Sequence, residues 1–457
     1  MNQWQLEYRN KVLFAGSKDA FSEMSDAFLR DAAAFYERGA QKKAILYLKD
    51  MCLDLGSFLT HWKLDRWLPK EEKEKFIDRC MRLLKSWSPE EAADAERQIS
   101  EQKNSQMARI SEETLRGNLN VYWGHDKCDD IDFDLRHGAS FTTSNPGKIN
   151  GFRTAHPEEW EAMTRDLVAR KELSAQEIFH IASARVVCMM ARHMRPVFDA
   201  TNGQFGASSI QVDPTNMFDS RKMADEIVDW YRYFQEELDM EVPNVTFKVP
   251  ATKEAAAAAR EVAAQFANIK LCATSNFSTR QHLEFMAGLD HRNPATWLVI
   301  VDVHLRSSAR PELEALGVED VEGYCEKLVT EIYRVCYRKL LAAGSNIQIN
   351  GAGIRDWQGV RNNLTANARL PVTLTIMPGV VEDANRAARR LEDVLSGKTS
   401  EEDMAVLNQC KTFRQAYYPE EFPWDDIYSF KPFAMMMDGF LDHYHKCLAS
   451  IEERRSR

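Results

Sequence analysis

The feature that most constrains the fold is a series of short β-rich segments that alternate with helical stretches from residue 118 onward. The predicted strands are 118–124, 139–143, 207–212, 244–249, 268–273, 296–303, 346–351 and 372–377. Strands that alternate with helices indicate a parallel sheet, and eight such units indicate a closed (β/α)8 TIM barrel. An open doubly wound sheet is the alternative, but no glycine-rich dinucleotide-binding motif follows any predicted strand.

Helical segments precede and follow this region. Apolar residues recur at helical spacing through the first 115 residues, where Ser88 followed by Pro89 is a good helix start. The predicted parts are a helical domain at 1–115, the barrel at 116–396 and a C-terminal helical extension at 397–457 that packs on the barrel. We expect no catalytic residue in the first part. The aromatic and Met-rich stretch 430–447 either crosses the barrel mouth as a lid or packs on its outer shell.

The composition indicates a soluble globular protein of the cytoplasm. Hydrophobic residues make up 44% of the chain, yet no run of about 18 apolar residues predicts a membrane span. The first residues lack the basic and apolar regions of a signal peptide, and nine cysteines without metal-binding spacing indicate reduced thiols and no metal site. A net charge of −10 argues against nucleic acids or anionic membranes as partners. Any anionic ligand must therefore be held by a few local arginines.

Lys248 is the first candidate for catalysis. It lies near the end of the fourth predicted strand, directly before a Pro-Ala-Thr turn, and the carboxyl ends of barrel strands are where active sites form. An amine buried in an apolar interior loses the hydration that favours its ammonium form, so a neutral nucleophile becomes available to attack a carbonyl. The alternative is a lysine that extends from the strand end into solvent.

Two arginines follow later strands and are candidates for binding phosphate. Arg306 follows the sixth predicted strand, and Arg355 follows the seventh after a Gly-Ala-Gly stretch. Guanidinium groups match the geometry of phosphate oxygens, and glycines let the backbone approach a ligand closely. Each arginine alone is typical of a solvated helix start. Together with a buried lysine on the same rim, they favour a phosphorylated carbonyl substrate.

Five motifs in this order resemble the transaldolase family. They are TSNP, QVDP, FKVPAT, GAGIR and LTIMP, each at a predicted strand end, and the resemblance covers residues 116–396. It implies that Lys248 forms a Schiff base with a ketose phosphate, cleaves the C3–C4 bond and passes a dihydroxyacetone unit to an aldehyde, without metal or organic cofactor.

The resemblance also implies roles for other residues. Asn145 is expected to bind the three-carbon unit, with Ser144 beside it as a further substrate-binding residue. Thr274 is expected to position a catalytic water. Arg306 and Arg355 match the phosphate-binding arginines of the family, Arg355 within a motif and Arg306 by spacing alone.

Several positions depart from the family pattern. Gln211 stands where the family has a glutamate that works as acid and base through a water, and an amide cannot exchange a proton near neutral pH. Asp126 is the candidate for the aspartate that ends the first strand and handles a hydroxyl proton. Cys272 replaces an asparagine, and Val301 replaces a serine. His304 offers a substitute proton shuttle, although a single histidine near a strand is more often structural.

The predicted function is that of a transaldolase-like enzyme acting on a sugar phosphate, with no nucleic-acid or membrane partner and with homo-oligomer formation left open. One alternative is a class I aldolase, or a specialised enzyme of secondary metabolism that forms carbon–carbon bonds. The other is a non-catalytic barrel that acts as a binding or scaffold protein. The loss of the carboxylate at Gln211 supports this alternative. The presence of Lys248 and both arginines argues against a pure scaffold.

Overall fold

A computed structural model describes residues 3–62, 68–287, 289, 297–387 and 390–456. The chain begins with α1 Gln3–Leu13, α2 Lys18–Glu37, α3 Gln41–Gly56, α4 Lys70–Trp87, α5 Pro89–Lys103 and α6 Gln106–Leu115. The sequence pattern predicts one helix over 89–114, but the chain forms two. Ser105 starts the second of them, because its hydroxyl accepts a hydrogen bond from the amide of Ala108. Phe58–Trp62 forms a 3-10 turn after α3.

Eight parallel strands close into a barrel in chain order. They are β1 Val121–His125, β2 Phe141–Thr142, β3 Ser208–Gln211, β4 Val245–Pro250, β5 Lys270–Thr274, β6 Trp297–Val301, β7 Gln348–Ile354 and β8 Val372–Ile376. Each strand pairs with the next, and β8 pairs with β1 to close the ring. The predicted (β/α)8 TIM barrel is therefore confirmed. Residue 296, the first of the predicted sixth strand, lies outside the described residues.

Helices follow the strands and cover the barrel. They are α7 Ile131–Arg136, α8 Pro146–Ala155, α9 Pro157–Val168, α10 Ala175–Ala200, α11 Ser220–Leu238, α12 Lys253–Gln265, α13 Thr279–Met286, α14 Asp302–Ala315, α15 Val321–Ala342, α16 Trp357–Arg361 and α17 Val380–Arg386. A 3-10 turn, Pro214–Asn216, follows β3. The sequence pattern predicts a helix over 355–366, but the observed helix is shorter: Asp356 caps its start and it ends at Arg361.

The C-terminal part adds three helices and a 3-10 turn, Trp424–Ser429. The helices are α18 Glu401–Leu407, α19 Lys411–Tyr417 and α20 Lys431–Ser456. The long α20 packs against α8, α10 and α14, which places it across the carboxyl ends of the strands. Among the described helices, none combines the length and apolar character needed to cross a membrane.

Buried ion pairs join the N-terminal helices to the barrel. Arg136 of α7 donates to Asp54 of α3 at 2.7 Å and lies 3.2 Å from Asp50. Arg9 of α1 donates to Asp132 of α7 at 2.6 Å. Breaking a buried pair leaves an unpaired buried charge, so these contacts fix α1 and α3 against the helix that follows β1. The division of the chain at residue 115 remains a prediction.

Candidate active site

A cavity of about 340 Å³ opens at the carboxyl ends of the strands. Its walls come from seven strand ends of the barrel and from α20. Lining residues include Asp126, Thr143, Asn145, Lys148, Lys248, Cys272, Thr274, Val301, His304, Asn350, Arg355, Thr375, Met436, Phe440 and His443. No residue of the described part of 3–115 lines it. The volume suits a small ligand, at the lower end of the range for binding pockets.

Lys248 projects into this cavity from β4. Phe247 and Val249 on either side are fully buried, and Phe247 packs towards the helices outside the barrel. Because successive side chains of a strand point to opposite faces, Lys248 faces the interior. Thr252 then caps α12 by accepting a hydrogen bond from the amide of Ala255 at 3.1 Å, which ends the strand just after the lysine.

The amine of Lys248 is buried without an acidic partner. The residue is 5% exposed, and its Nζ donates to the backbone carbonyl of Ser144 at 3.4 Å. The Nζ also lies 6.0 Å from the ring centroid of Phe440 on α20. Within the described ranges, no carboxylate lies within 4 Å of Nζ. An amine that no ion pair holds is available for reaction with a ligand in the cavity.

Asp126 lines the cavity directly after β1. Its Oδ1 accepts a 2.9 Å hydrogen bond from the hydroxyl of Thr143, and its Oδ2 lies 3.5 Å from Nζ of Lys148. The sequence argument did not include Lys148. It lies three residues after Asn145, in the first turn of α8, and that spacing is the signal that could have placed both on one face.

Asn145 and Ser144 have different positions although they are adjacent. Asn145 lines the cavity and caps α8, with its Oδ1 accepting from the amide of Lys148 at 3.0 Å. The hydroxyl of Ser144 donates to the backbone carbonyl of Ser209 on β3 and is not part of the cavity wall. Only the carbonyl of Ser144 meets the site, as the acceptor for Lys248.

β5 contributes Cys272 and Thr274 to the wall. Burial raises the pKa of Cys272 to about 12; Lys248 opposes this shift and Asp126 adds to it. The thiol is therefore neutral at physiological pH and can act only as a weak hydrogen-bond partner. The hydroxyl of Thr274 is buried and has no hydrogen-bond partner among the described residues. A water or a ligand oxygen in the cavity would satisfy it.

Gln211 lies beside the lysine but outside the cavity wall. It ends β3, and its register partner on β4 is Lys248. Neither polar atom of its side chain finds a hydrogen-bond partner in the described part of the chain. The structure therefore brings Gln211 next to the lysine, while its predicted role in catalysis remains untested.

The two arginines differ in position. Arg355 is exposed on the cavity rim, and the described residues offer it no carboxylate within 4 Å. Arg306 lies on α14, where it pairs with Glu326 and lies 3.5 Å from Glu322, away from the cavity. Of the two arginines, Arg355 alone lines the cavity.

A bulge in β7 carries Arg355 to the rim. Gly353 has φ +69° at a register shift between Ala352 and Ile354. A Cβ atom at Gly353 would lie 2.8 Å from a methyl group of Val301 on β6. The left-handed backbone and the close approach both require glycine at this position.

His304 lies in the wall near Arg355. Burial lowers the pKa of His304 to about 4, and the positive charge of Arg355 contributes to the same shift. Its Nδ1 is buried and has no partner among the described side chains and backbone groups. The imidazole is therefore neutral near pH 7, with a free nitrogen for a ligand or a water.

The roof of the cavity is α20, which the sequence argument left open as a lid or outer shell. Met436, Gly439, Phe440 and His443 all line the cavity. Nδ1 of His443 lies 3.3 Å from the amide nitrogen of Asn150 on α8. These side chains would have been hard to place from sequence, because the helix follows the last strand by more than 50 residues.

The family model of transaldolase and fructose-6-phosphate aldolase matches residues 140–412, more than half of the 457 residues. The chain belongs to this family. The resemblance inferred from the sequence motifs is therefore confirmed. This member of the transaldolase/fructose-6-phosphate aldolase family extends beyond the matched region at both ends. β1 and Asp126 precede the match, and α20 follows it.

Curated relatives are similar over part of the chain. A transaldolase of Thermobifida fusca is 30% identical over 158 residues, which are 34% of this chain and 40% of the relative. Transaldolase 1 of Streptomyces avermitilis is 30% identical over 195 residues, 39% of this chain and 48% of the relative. Transaldolase 2 of the same organism is 31% identical over 131 residues, 28% of this chain and 32% of the relative. The chain thus spans less than half the length of each of these relatives.

Proposed function

We propose that the protein is a Schiff-base enzyme that takes a dihydroxyacetone unit from a ketose phosphate and transfers it to an aldehyde. The observation that carries this proposal is the buried amine of Lys248, which faces a cavity and has no carboxylate within 4 Å in the described part of the chain. Family membership supports the reaction class, and the exposed Arg355 on the rim supports a phosphorylated substrate.

The reaction needs no oxidant or reductant. The amine of Lys248 adds to the ketone carbonyl, one proton is taken up and water leaves, which forms an iminium ion; the final hydrolysis returns that proton. The C3–C4 bond then breaks as the C4 hydroxyl loses its proton, and the bonding electrons move into an enamine. The first aldehyde leaves. The enamine carbon attacks the carbonyl carbon of the second aldehyde, whose oxygen takes up a proton, and water hydrolyses the iminium ion to release the new ketose and the lysine.

In this proposal, Asp126 accepts and returns the hydroxyl proton, because it is a carboxylate on the cavity wall. The unpaired hydroxyl of Thr274 holds the water used in imine formation and hydrolysis. Asn145 binds the hydroxyl groups of the three-carbon unit, and Arg355 binds the phosphate. Ser144 positions the amine through its carbonyl, which accepts from Lys248, whereas Gln211 and Arg306 do not line the cavity.

Borohydride trapping tests the proposal. Reduction of the imine during incubation with fructose 6-phosphate should fix a three-carbon fragment on the peptide that contains Lys248, as read by mass spectrometry. Lys248→Met should remove the adduct and the turnover and keep the fold, because methionine is similar in length and apolar.

Lys270 offers a matched control within the same barrel. It is a buried lysine at the amino end of β5, outside the cavity, and burial lowers its pKa to about 8. Lys270→Met should leave the adduct at Lys248 in place. The proposal would be contradicted if the adduct disappeared in Lys270→Met. It would also be contradicted if no adduct formed at Lys248 with a range of ketose phosphates.

Cleavage without transfer is the second candidate, and the position of Gln211 favours it. An amide beside Lys248 replaces the family glutamate, so proton transfer differs from that of the transaldolases. In an aldolase, a proton rather than an aldehyde captures the enamine, and free dihydroxyacetone is released. The ratio of free dihydroxyacetone to new ketose, measured with and without an added aldehyde, distinguishes the two reactions.

A further inference from the structure

The cavity has two chemically different walls. On one side, the ends of β1 and β2 and the start of α8 present Asp126, Thr143, Asn145 and Lys148. These groups can bind the hydroxyl groups of the three-carbon unit next to Lys248. Another part of the wall is formed by β6, the start of α14 and the residues Met436 and Phe440 of α20.

This second wall is mainly apolar. Its apolar side chains are Trp297, Val299 and Val301 of β6, Val303 at the start of α14, and Met436 and Phe440 of α20. His304 of α14 and His443 of α20 are polar residues of the same two helices that also line the cavity. Apart from the indole nitrogen, the six apolar side chains offer no strong hydrogen-bond donor or acceptor. A hydroxyl group that faced them would lose its hydration without a new partner, whereas an alkyl or aryl group would be favourably buried.

Two departures from the family pattern point the same way. Val301 stands where the resemblance implies a serine, and Cys272 stands where it implies an asparagine. Both line the cavity, and burial keeps the thiol of Cys272 neutral by raising its pKa to about 12. Each replacement removes a strong hydrogen-bonding group from the space in front of the lysine.

Only one of the two arginines expected to bind phosphate lines the cavity. Arg306 pairs with Glu326 and does not line the cavity, so one exposed guanidinium, Arg355, remains on the rim. One guanidinium makes fewer charge-assisted hydrogen bonds to phosphate than two would, and the phosphate of the donor already needs Arg355. The cavity therefore offers few partners for a phosphate group on the acceptor.

The apolar roof belongs to a part of the chain that the family model does not match. The match ends at residue 412, whereas α20 begins at Lys431. Phe440 lies 6.0 Å from Nζ of Lys248, measured to the ring centroid, so this helix borders the reaction centre directly. The wall of the acceptor space thus combines β6, inside the matched region, with α20, outside it.

We propose that the acceptor is an unphosphorylated aldehyde that carries an alkyl or aryl group, seated between β6 and α20. This inference rests on the proposed function, in which an enamine on Lys248 attacks the aldehyde carbon. The new carbon–carbon bond joins the two, the aldehyde oxygen takes up one proton, and water releases the product from the lysine. A sugar-phosphate donor binds beforehand with its hydroxyl groups towards the polar wall.

Binding of unreactive alcohols tests the inference without the covalent step. The full-length Lys248→Met protein is titrated with 3-phenylpropan-1-ol and with glycerol 3-phosphate, which stand in for an aryl aldehyde and for a phosphorylated sugar aldehyde. We expect the aryl alcohol to bind at least five-fold more tightly. Phe440→Ser and Val301→Ser should each weaken its binding about five- to ten-fold.

Asp438→Ser is the matched control, because Asp438 is exposed on the same helix and does not line the cavity. It should leave the dissociation constant unchanged. Tighter binding of glycerol 3-phosphate, or unchanged aryl alcohol binding in both Phe440→Ser and Val301→Ser, would overturn the inference. Trapping at Lys248 is read separately: an adduct without alcohol binding contradicts only this inference, and alcohol binding without an adduct contradicts only the proposed function.

Discussion

The hydroxyl of Tyr444 donates a 2.8 Å hydrogen bond to Oδ2 of Asp213, which joins α20 to the turn after β3. Burial works against ionisation of this carboxyl, yet the nearby imidazole of His180 and hydrogen bonds from Thr215 and Tyr444 hold the pKa of Asp213 well below its usual range. The tyrosine therefore meets a charged acceptor, and hydrogen bonds to charged groups are stronger than neutral ones. This bond fixes the position of the helix that roofs the cavity.

Tyr444→Phe should loosen this roof. Loss of a buried hydrogen bond to a charged partner destabilises a structure by about 1–3 kcal/mol, so we expect faster amide hydrogen exchange in residues 431–456 and a raised KM. Tyr418→Phe is the control, because it removes a 3.0 Å hydrogen bond to Asn408 that lies away from α20. Equal exchange of α20 in both variants would show that the bond does not hold the helix.

Arg355→Ala and Arg306→Ala should have different effects. Removal of Arg355 should weaken the binding of a phosphorylated ketose by about 1.5–3 kcal/mol, the scale of a charged hydrogen bond. Binding of the unphosphorylated ketose should be nearly unchanged. Removal of Arg306 leaves Glu326 without its partner, so it should lower thermal stability and affect both ketoses alike. KM for fructose 6-phosphate and fructose, measured with the melting temperature, separates the two roles. A phosphate-specific loss in Arg306→Ala would contradict the placement of that side chain.

Asp126→Asn should slow carbon–carbon bond cleavage by about 10²- to 10⁴-fold, the usual range for loss of a general acid or base. The imine with dihydroxyacetone should still form, because its formation does not require the C4 hydroxyl proton to leave. Rapid-quench kinetics with borohydride separate the two steps. Asp129→Asn is the control, since Asp129 accepts from His156 at 3.0 Å and does not line the cavity.

The tautomer of His443 should depend on Asn150. Arg153 donates to Oδ1 of Asn150 at 3.2 Å, which leaves the amide NH₂ to donate to Nδ1 of His443 at 3.3 Å. The proton of the neutral imidazole is therefore on Nε2. Asn150→Asp replaces this donor with an acceptor, so the proton should move to Nδ1. Ring ¹⁵N shifts of His443 report the change, and identical shifts in both proteins would contradict it.

Acid should destabilise the fold through His282. Its Nδ1 donates to the carbonyl of Ser278 at 2.9 Å, its Nε2 is buried without a partner among the described residues, and burial lowers the pKa of His282 from 6.5 to about 4. Between these values the unfolded chain binds the proton and the folded chain does not. The free energy of unfolding therefore falls as the pH decreases from 6.5 to 4, by about 1.4 kcal/mol per pH unit for one proton.

His282→Asn keeps a donor for the Ser278 carbonyl and does not titrate. Denaturant unfolding of both proteins at several pH values should give a smaller decrease for this variant. Parallel curves would show that His282 contributes nothing to acid sensitivity.

The strands were predictable because their pattern is local. β-branched runs between helical stretches gave all eight strands near their observed bounds, and the order of the motifs gave Lys248. Arg306 shows why spacing is insufficient for a site. β6 ends at Val301 and α14 begins at Asp302, so the rotation of this helix turns Arg306 towards Glu326 and away from the cavity. Sequence spacing contains no information about that rotation.

The roof of the cavity was not predictable for a different reason. Its residues approach Lys248 only through tertiary contacts between α20 and the helices α8, α10 and α14. An amphipathic helical pattern shows that a helix buries one face, but it does not show which surface it covers.

The attachment of α20 allows the chemistry and the selectivity of this barrel to evolve separately. The helix lies outside the sheet and contributes no strand pairing, so substitutions along one of its faces can reshape the cavity while every strand register stays in place. The lysine belongs to the closed sheet and tolerates little movement. In the proposed reaction, one scaffold can therefore keep a fixed carbon nucleophile and receive a new electrophile through changes in a single helix.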